Sequence, residues 1–218
     1  ALTVFNPETG AEEASEGYET PAMPVALTVG SGADQFFGCA PIGSRIVMAL
    51  PASQSGSAAV WVLDVLGTTP AAAWGDDVKP VEGMPTVVLA ENGAPEITIP
   101  EGDAPTEVEL STLKRGDGPV VESGDTVLVQ YTGVRWSDGE TFDSSWDSGA
   151  PASFPTTGVV AGFQQALEGQ TVGSQVLVVI PPAFGYGTEG NEEHELFDQT
   201  LVFVVDILAT QSAPQPAG

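Results

Sequence analysis

One strand pattern occurs twice in this chain, and the repeat limits the folds it can adopt. Residues 42–52, Gly43-Ser44 followed by an apolar run and Pro51, parallel residues 172–182, Gly173-Ser174 followed by an apolar run and Pro181. Downstream, Val60-Trp61-Val62-Leu63-Asp64 parallels Val202-Phe203-Val204-Val205-Asp206. The two matches fall in the same order with Gly-Ser and Asp in phase, which predicts a shared architecture. Gly43 leads Asp64 by 21 positions, whereas Gly173 leads Asp206 by 33. The second copy therefore carries a longer loop, between Pro182 and Thr200, and surplus loop on a common scaffold is where function concentrates.

The local patterns are mostly strands. Residues 126–132 alternate, with Val127, Val129 and Tyr131 on one face and Leu128 and Gln130 on the other. The runs 176–180 and 201–208 are almost continuously apolar and β-branched, as for strands covered on one face and packed at their edges. Asp138-Gly139, between Val134 and Phe142, signals a tight hairpin. A single segment reads as a helix: Phe163, Ala166 and Leu167 share a face and Gly169 stops it. One short helix among many strands predicts an α+β fold with a mainly antiparallel sheet.

At 218 residues the chain suits one large or two small domains. The predicted bounds are 1–68 and 104–210. Between them, 69–103 reads as a semi-ordered acidic linker rich in Pro and Gly, whose β-like patches at 86–89 and 96–99 dock on a domain. Residues 211–218 read as a disordered tail. The net charge of −25 repels phosphate backbones and anionic membranes. The one cysteine, Cys39, excludes an intrachain disulfide and a cysteine metal cage. No apolar run reaches the ~20 residues of a membrane helix. No catalytic Ser-His-Asp pattern or phosphate loop is visible, and Gly30-Ser31-Gly32 lacks the rest of a dinucleotide motif. His194 stands among Glu192, Glu193, Glu195 and Asp198; a lone histidine in such a loop is more often solvated than a ligand, so neither metal nor cofactor is expected.

Residues 106–210 resemble the FKBP-type peptidyl-prolyl isomerases. The resemblance rests on ordered motifs: Val127-Leu128-Val129-Gln130-Tyr131-Thr132-Gly133, then Asp138-Gly139-Glu140-Thr141-Phe142-Asp143-Ser144-Ser145, Val159-Val160-Ala161-Gly162-Phe163, Val172-Gly173-Ser174, Pro182-Ala183-Phe184-Gly185-Tyr186-Gly187 and Thr200-Leu201-Val202-Phe203. It implies a twisted antiparallel sheet wrapped around one short helix, as one complete domain plus one partial, degenerate copy. It also implies a pocket of Tyr131, Phe142, Asp143, Val159, Val160, Phe163, Tyr186 and Phe203.

The chemistry agrees with that set. An X–Pro bond rotates through a twisted amide over a barrier of ~18–20 kcal/mol. Such a state needs no nucleophile; it needs a dry cradle and well-placed donors. Phe142, Phe163 and Phe203 supply the cradle, with Val159 and Val160. Tyr186 and Tyr131 supply hydroxyls, and Asp143 orients Tyr131 or faces the substrate carbonyl carbon. Each residue alone has a plainer reading: the phenylalanines as core, Tyr131 as packing, Asp143 as a turn. Two departures stand out. Ala152 replaces a usual aromatic just before Ser153-Phe154, predicting a wider pocket with weaker binding. The loop 190–198 lacks the usual Ile-Pro tip, and Leu196 and Phe197 stand in for its apolar lid, with Leu196 a substrate contact. The acidic tip favours clients with Lys or Arg near the proline.

Aligning Thr9-Gly10 with Asp138-Gly139 sets Leu2 at the Tyr131 position, Glu13 at Phe142 and Ala14 at Asp143. The first copy therefore lacks the polar pocket groups and is expected to be inactive. Ala1 is not Met and falls mid-strand, which predicts further strands upstream of it. The predicted function is isomerisation of X–Pro bonds in folding extracytoplasmic proteins; the alternative is a catalytically weak client-binding holdase of the same fold. Expected partners are proline-containing, basic polypeptides and a macrolide inhibitor, with no nucleic acid. A monomer is expected. The acidity, scarcity of lysine and tandem layout resemble secreted or envelope-anchored bacterial members, lipid-anchored upstream of Ala1; a halophilic cytoplasm is the alternative source of the same charge.

Overall fold

A turn at Thr9-Gly10 starts the first sheet. The Asn6 side chain accepts the amides of Glu8 at 2.9 Å and Thr9 at 3.1 Å, and Gly10 takes φ 70°, a left-handed value that suits glycine. The turn joins β1 (Leu2–Phe5) to β2 (Glu12–Glu16). With β3 (Arg45–Leu50) and β4 (Ala59–Asp64) they form an antiparallel sheet in the order β2-β1-β4-β3. The computed structural model describes residues 1–18, 23, 40–52, 56–188 and 193–212. Cys39, the Gly30-Ser31-Gly32 stretch and residues 213–218 of the expected tail lie outside them. The chain divides into two compact units, Ala1–Thr69 and Pro70–Gly218.

The second unit holds a seven-stranded sheet. Its elements are β5 (Asp76–Asp77), β6 (Thr86–Leu89), β7 (Pro95–Thr98), β8 (Glu109–Arg115), β9 (Thr126–Arg135), β10 (Thr141–Ser144), the single-turn α1 (Ser145–Ser148), β11 (Ala152–Pro155), α2 (Ala161–Leu167), β12 (Gln175–Ile180) and β13 (Leu201–Gln211). The sheet order is β10-β9-β13-β12-β8-β5, with β11 also paired to β9. The predicted helix is α2, and it buries Gly162, Phe163, Ala166 and Leu167. Gly162 lets it approach the sheet: a Cβ there would lie 2.5 Å from Ile180 Cγ2.

Both faces of this sheet are covered, whereas the sequence suggested one. Val127, Val129, Val176, Val178, Ile180, Leu201, Val205 and Ile207 pack under α2. The alternate residues Leu177, Val179, Val202 and Val204 form a second cluster with Met84, and Val87, Ile97 and Ile99 of the β6–β7 region close it. Double coverage explains why β12 and β13 read as unbroken apolar runs.

The residues read from sequence as a semi-ordered linker lie as a strap on the second unit, and the patches at 86–89 and 96–99 pack on its sheet. β5 pairs with β8, Gly75 N–H donates to Gly173 O at 2.9 Å, and Ala73 N–H donates to the Asp206 carboxylate at 2.9 Å. Its apolar residues are broken up by Pro, Gly and acids, so which surface they cover, the outer face of the sheet, is invisible without the fold.

The two sheets share a register. Leu2 pairs with Leu63 as Tyr131 pairs with Val205. Arg45 pairs with Asp64 as Gln175 pairs with Asp206. The β1–β2 ladder skips Glu13 and the β9–β10 ladder skips Phe142. Gly43 N–H reaches Val65 O at 2.7 Å, and Gly173 N–H reaches Ile207 O at 2.7 Å. Gly10 N–H reaches Asn6 O at 2.8 Å, and Gly139 N–H reaches Arg135 O at 2.9 Å.

Candidate active site

The site grows from a glycine and a bulge. Gly133 on β9 lies opposite Phe203 on β13. On β10, the skipped residue Phe142 is the extra residue of a bulge, a device that re-aims a side chain. A Cβ on Gly133 would lie 2.6 Å from Phe203 Cε1 and 2.7 Å from Phe142 Cζ. The bare glycine thus vacates the space in which the two rings meet edge to face, 5.4 Å apart at 90°. Phe163 rises from α2 to meet Phe203 at 4.9 Å and 85°. Tyr131 stands 6.1 Å from Phe163 and 6.2 Å from Phe203. These four rings form one cradle.

Polar groups line one side. The Tyr131 hydroxyl donates to Asp143 Oδ2 at 2.6 Å. Burial, then the Asp143 carboxylate, pushes that phenol well above the ordinary tyrosine range, so it stays a neutral donor. Its backbone is fixed too: Tyr131 N–H donates to Ser145 Oγ at 2.8 Å, and Ser145 donates in turn to the Gln130 side chain. Tyr186 follows a 3-10 turn at Pro182–Phe184 and packs on the same cluster. Its hydroxyl is also raised, by burial first and then by the charges of Asp143 and Glu195. Its loop is stitched by Gly187 N–H to Pro182 O at 2.8 Å and Asp198 N–H to Gly187 O at 3.0 Å.

The structure brings the residues singled out from sequence to one region. Phe163, Phe203 and Leu196 belong to the core cluster that α2 and the sheet share, and Tyr131, Phe142, Val159, Val160 and Tyr186 pack against it. Asp143 joins through Tyr131. Leu196, expected at a lid, is only 4% exposed and sits in the floor. Ala152 pairs with Val129, and Phe154, two residues on, meets Phe163 at 5.7 Å. Three contributors were missed. Gly133 carries no side chain to notice. Phe154 was noted only as a neighbour of Ala152. His194, expected to be solvated, stacks on Tyr186 at 4.0 Å and 16°. The loop residues 189–192 lie outside the described ones.

An apolar cradle edged by neutral hydroxyl donors suits rotation about a bond. Among the described residues no three His, Cys, Asp or Glu side chains cluster to hold a metal, and no helix is long and apolar enough to cross a membrane.

Comparison with known proteins agrees with this chemistry. Residues 118–208 match the model of the FKBP-type peptidyl-prolyl cis-trans isomerase family. A probable FK506-binding protein of Corynebacterium glutamicum is 41% identical over 115 residues, 53% of this chain and 97% of that one. An FK506-binding protein of Streptomyces anulatus is 37% identical over 118 residues, 53% of this chain and 95% of that one. Among solved structures, FkpA from Escherichia coli matches at 29% identity with a TM-score of 0.45, over 59% of this chain and 53% of that one. With a relative matched along almost its whole length and the cradle lying within the residues the family model matches, the chain belongs to the FKBP-type peptidyl-prolyl cis-trans isomerases, its isomerase domain lying in the C-terminal half.

Proposed function

We propose that Tyr131, Asp143 and Tyr186 are the polar machinery of the isomerase and that Phe142, Phe163, Phe203, Val159 and Val160 seat the prolyl ring, with Leu196 beneath them. The observation that carries this reading is the Tyr131–Asp143 hydrogen bond at the rim of the perpendicular aromatic cluster. Tyr186 donates to the substrate carbonyl as the amide twists. Asp143, committed to Tyr131, orients that ring. The test is a proline-limited peptide assay on the wild type, Tyr186→Phe, Asp143→Ala and Phe163→Ala. All three variants lose turnover on this reading. Wild-type turnover at the uncatalysed rate with client binding intact would favour a holdase. A macrolide of the class that blocks this family is expected to compete with substrate, weakly if Ala152 widens the pocket.

The N-terminal unit is read as a degenerate copy of the same fold, without isomerase activity. Its support is the matching register, down to the skipped residue and the turn hydrogen bonds. Where the second unit has Phe142 and Asp143, the first has Glu13 and Ala14. We assign the full chain to folding of extracytoplasmic clients, as a monomer, in the secreted or envelope fraction of a bacterium. The surplus of 30 acidic residues over 5 basic ones supports basic clients and this location. Cell fractionation tests the location, and loss of kcat/KM for Lys-flanked prolyl peptides at high salt tests the preference.

A further inference from the structure

His194 has a geometry that a solvated loop residue would not have. Its ring lies 4.0 Å from that of Tyr186 and nearly parallel to it. Its Nδ1 accepts the amide N–H of Leu196 at 3.1 Å, and Leu196 is seated in the core. Phe197 N–H closes the same turn on His194 O at 2.9 Å. The imidazole therefore pins two things at once: the face of the Tyr186 ring and the turn that plants Leu196. An accepting Nδ1 requires a neutral ring, since both nitrogens of a protonated imidazole are donors.

We propose that His194 is a positioning residue for Tyr186 and that its protonation disengages the ring, making isomerisation sensitive to mild acid. This rests on the reading of Tyr186 as the donor to substrate. The charged groups around the pair are Glu193 and Glu195 on its own loop, Asp198 four residues on, and Asp143 on β10, whose charge acts on Tyr186 as that of Glu195 does. On protonation the Leu196 amide loses its acceptor and the imidazolium turns towards these carboxylates. Tyr186 loses its flat support and its hydroxyl loses its aim. Imidazole is the side chain that changes charge in this mildly acidic range.

The experiment measures kcat/KM for a prolyl peptide between about pH 8 and about pH 5.5 on the wild type, His194→Phe and His194→Ala, each in the full chain. In parallel, NMR follows the Tyr186 ring resonances. The wild type is expected to lose activity several-fold on acidification, with the Tyr186 signals moving along the His194 titration. His194→Ala, which lacks the stack, is expected to be several-fold slower at neutral pH and flat with pH. His194→Phe keeps an aromatic face without a titrating nitrogen, so it rescues the neutral rate and stays flat. Identical pH profiles for the wild type and His194→Phe would overturn the proposal, as would full neutral activity in His194→Ala. If Tyr186→Phe proves as active as the wild type while the Tyr186 signals still follow His194, the positioning contact stands and the catalytic reading of Tyr186 fails instead.

Discussion

The two sheets of this chain follow one plan and differ in what fills it. Each has the strand whose start pairs across to an Asp-bearing strand, each has the bulge, and each ends its Gly-Ser turn on the same backbone bond. At the position of Gly133 the first sheet has Val4, opposite Trp61. At the bulge it has the exposed Glu13 in place of Phe142. A branched side chain stands where the second sheet needs empty space, and a charge stands where it needs a ring. Backbone pairing therefore sets where a cradle would lie, and two or three side chains decide whether there is one.

The largest expected effect comes from writing the first sheet's residue into the second. Gly133→Val places a branched side chain within 2.6–2.9 Å of where Phe142 and Phe203 now lie. Overpacking of this kind costs about 1–3 kcal/mol. Because both displaced rings belong to the cradle, kcat/KM should fall at least about 100-fold, which corresponds to ~2.7 kcal/mol of transition-state stabilisation. Near-normal turnover in the peptide assay would mean that the rings adapt, and that Val4 is not what keeps the first sheet bare.

Next in size is the buried carboxylate of the second sheet, Asp206, which stands where the first sheet has Asp64. Asp206 is 2% exposed and accepts from Ala73 N–H at 2.9 Å and Gln175 Nε2 at 2.7 Å. Asp206→Ala leaves both donors without their acceptor, at about 1–3 kcal/mol, and frees the start of the strap. Hydrogen exchange should quicken across 73–89 before it does in β9. Burial raises the Asp206 pKa above its unfolded value. The folded state therefore binds this proton more tightly than the unfolded one, so the charged group weakens the fold at neutral pH. That deficit shrinks as pH falls towards the raised value. Asp206→Asn, which keeps an acceptor, should remove this acid-side gain. A wild-type stability curve unaltered by Asp206→Asn in that window would contradict the assignment.

How much of this was legible follows from what each residue must pair with. The repeat, α2 and the Asp138-Gly139 turn rest on local signals, namely a 3.6-residue period, a glycine with positive φ and phased Gly-Ser and Asp. The site residues were reached through ordered motifs, and all but Asp143 belong to or pack against one core cluster. The patches at 86–89 and 96–99 were legible as strands that dock on a domain, but which surface takes Val87, Ile97 and Ile99, the outer face of β12 and β13, was not, and Met84 outside them went unread. Gly133 and His194 escaped for the same reason: one contributes an absence, the other a stack on a residue of a different turn. Long-range partners of isolated residues are what a linear pattern does not encode.

A smaller effect separates the two hydroxyls. Tyr131→Phe breaks the 2.6 Å bond to Asp143 and is expected to lower kcat/KM about 3–10-fold, an effect of roughly 1 kcal/mol, the size of one hydrogen bond. Tyr186→Phe should cost a similar or larger factor if it alone faces the substrate. Both phenols are pushed above the ordinary value of 10.0. Activity of the wild type should therefore hold as pH rises to that value, without an alkaline limb from either ring. A loss of turnover well below it, absent in both phenylalanine variants, would assign the limb to another group.

The smallest effect tests the first sheet alone. Arg45 grips Asp64 with two bonds of 2.7 Å, and Tyr18 adds a third at 2.7 Å, where the second sheet uses Gln175 on Asp206. Arg45 first, then Tyr18, holds the Asp64 carboxyl well below its ordinary 3.8. Its sign is opposite to that of Asp206: the contribution is present above the unfolded value and is lost as pH falls through the depressed one. The Arg45 side of the pair is open to solvent, so salt screens it and its worth is small. Arg45→Gln writes the second sheet's residue into the first. It should leave isomerase turnover unchanged and reduce the protection that β4 amides lose between about pH 5 and about pH 3. Unaltered acid sensitivity in β4 would show that Tyr18, and not the guanidinium, holds this carboxylate; a change in turnover would show that the bare sheet takes part in catalysis after all.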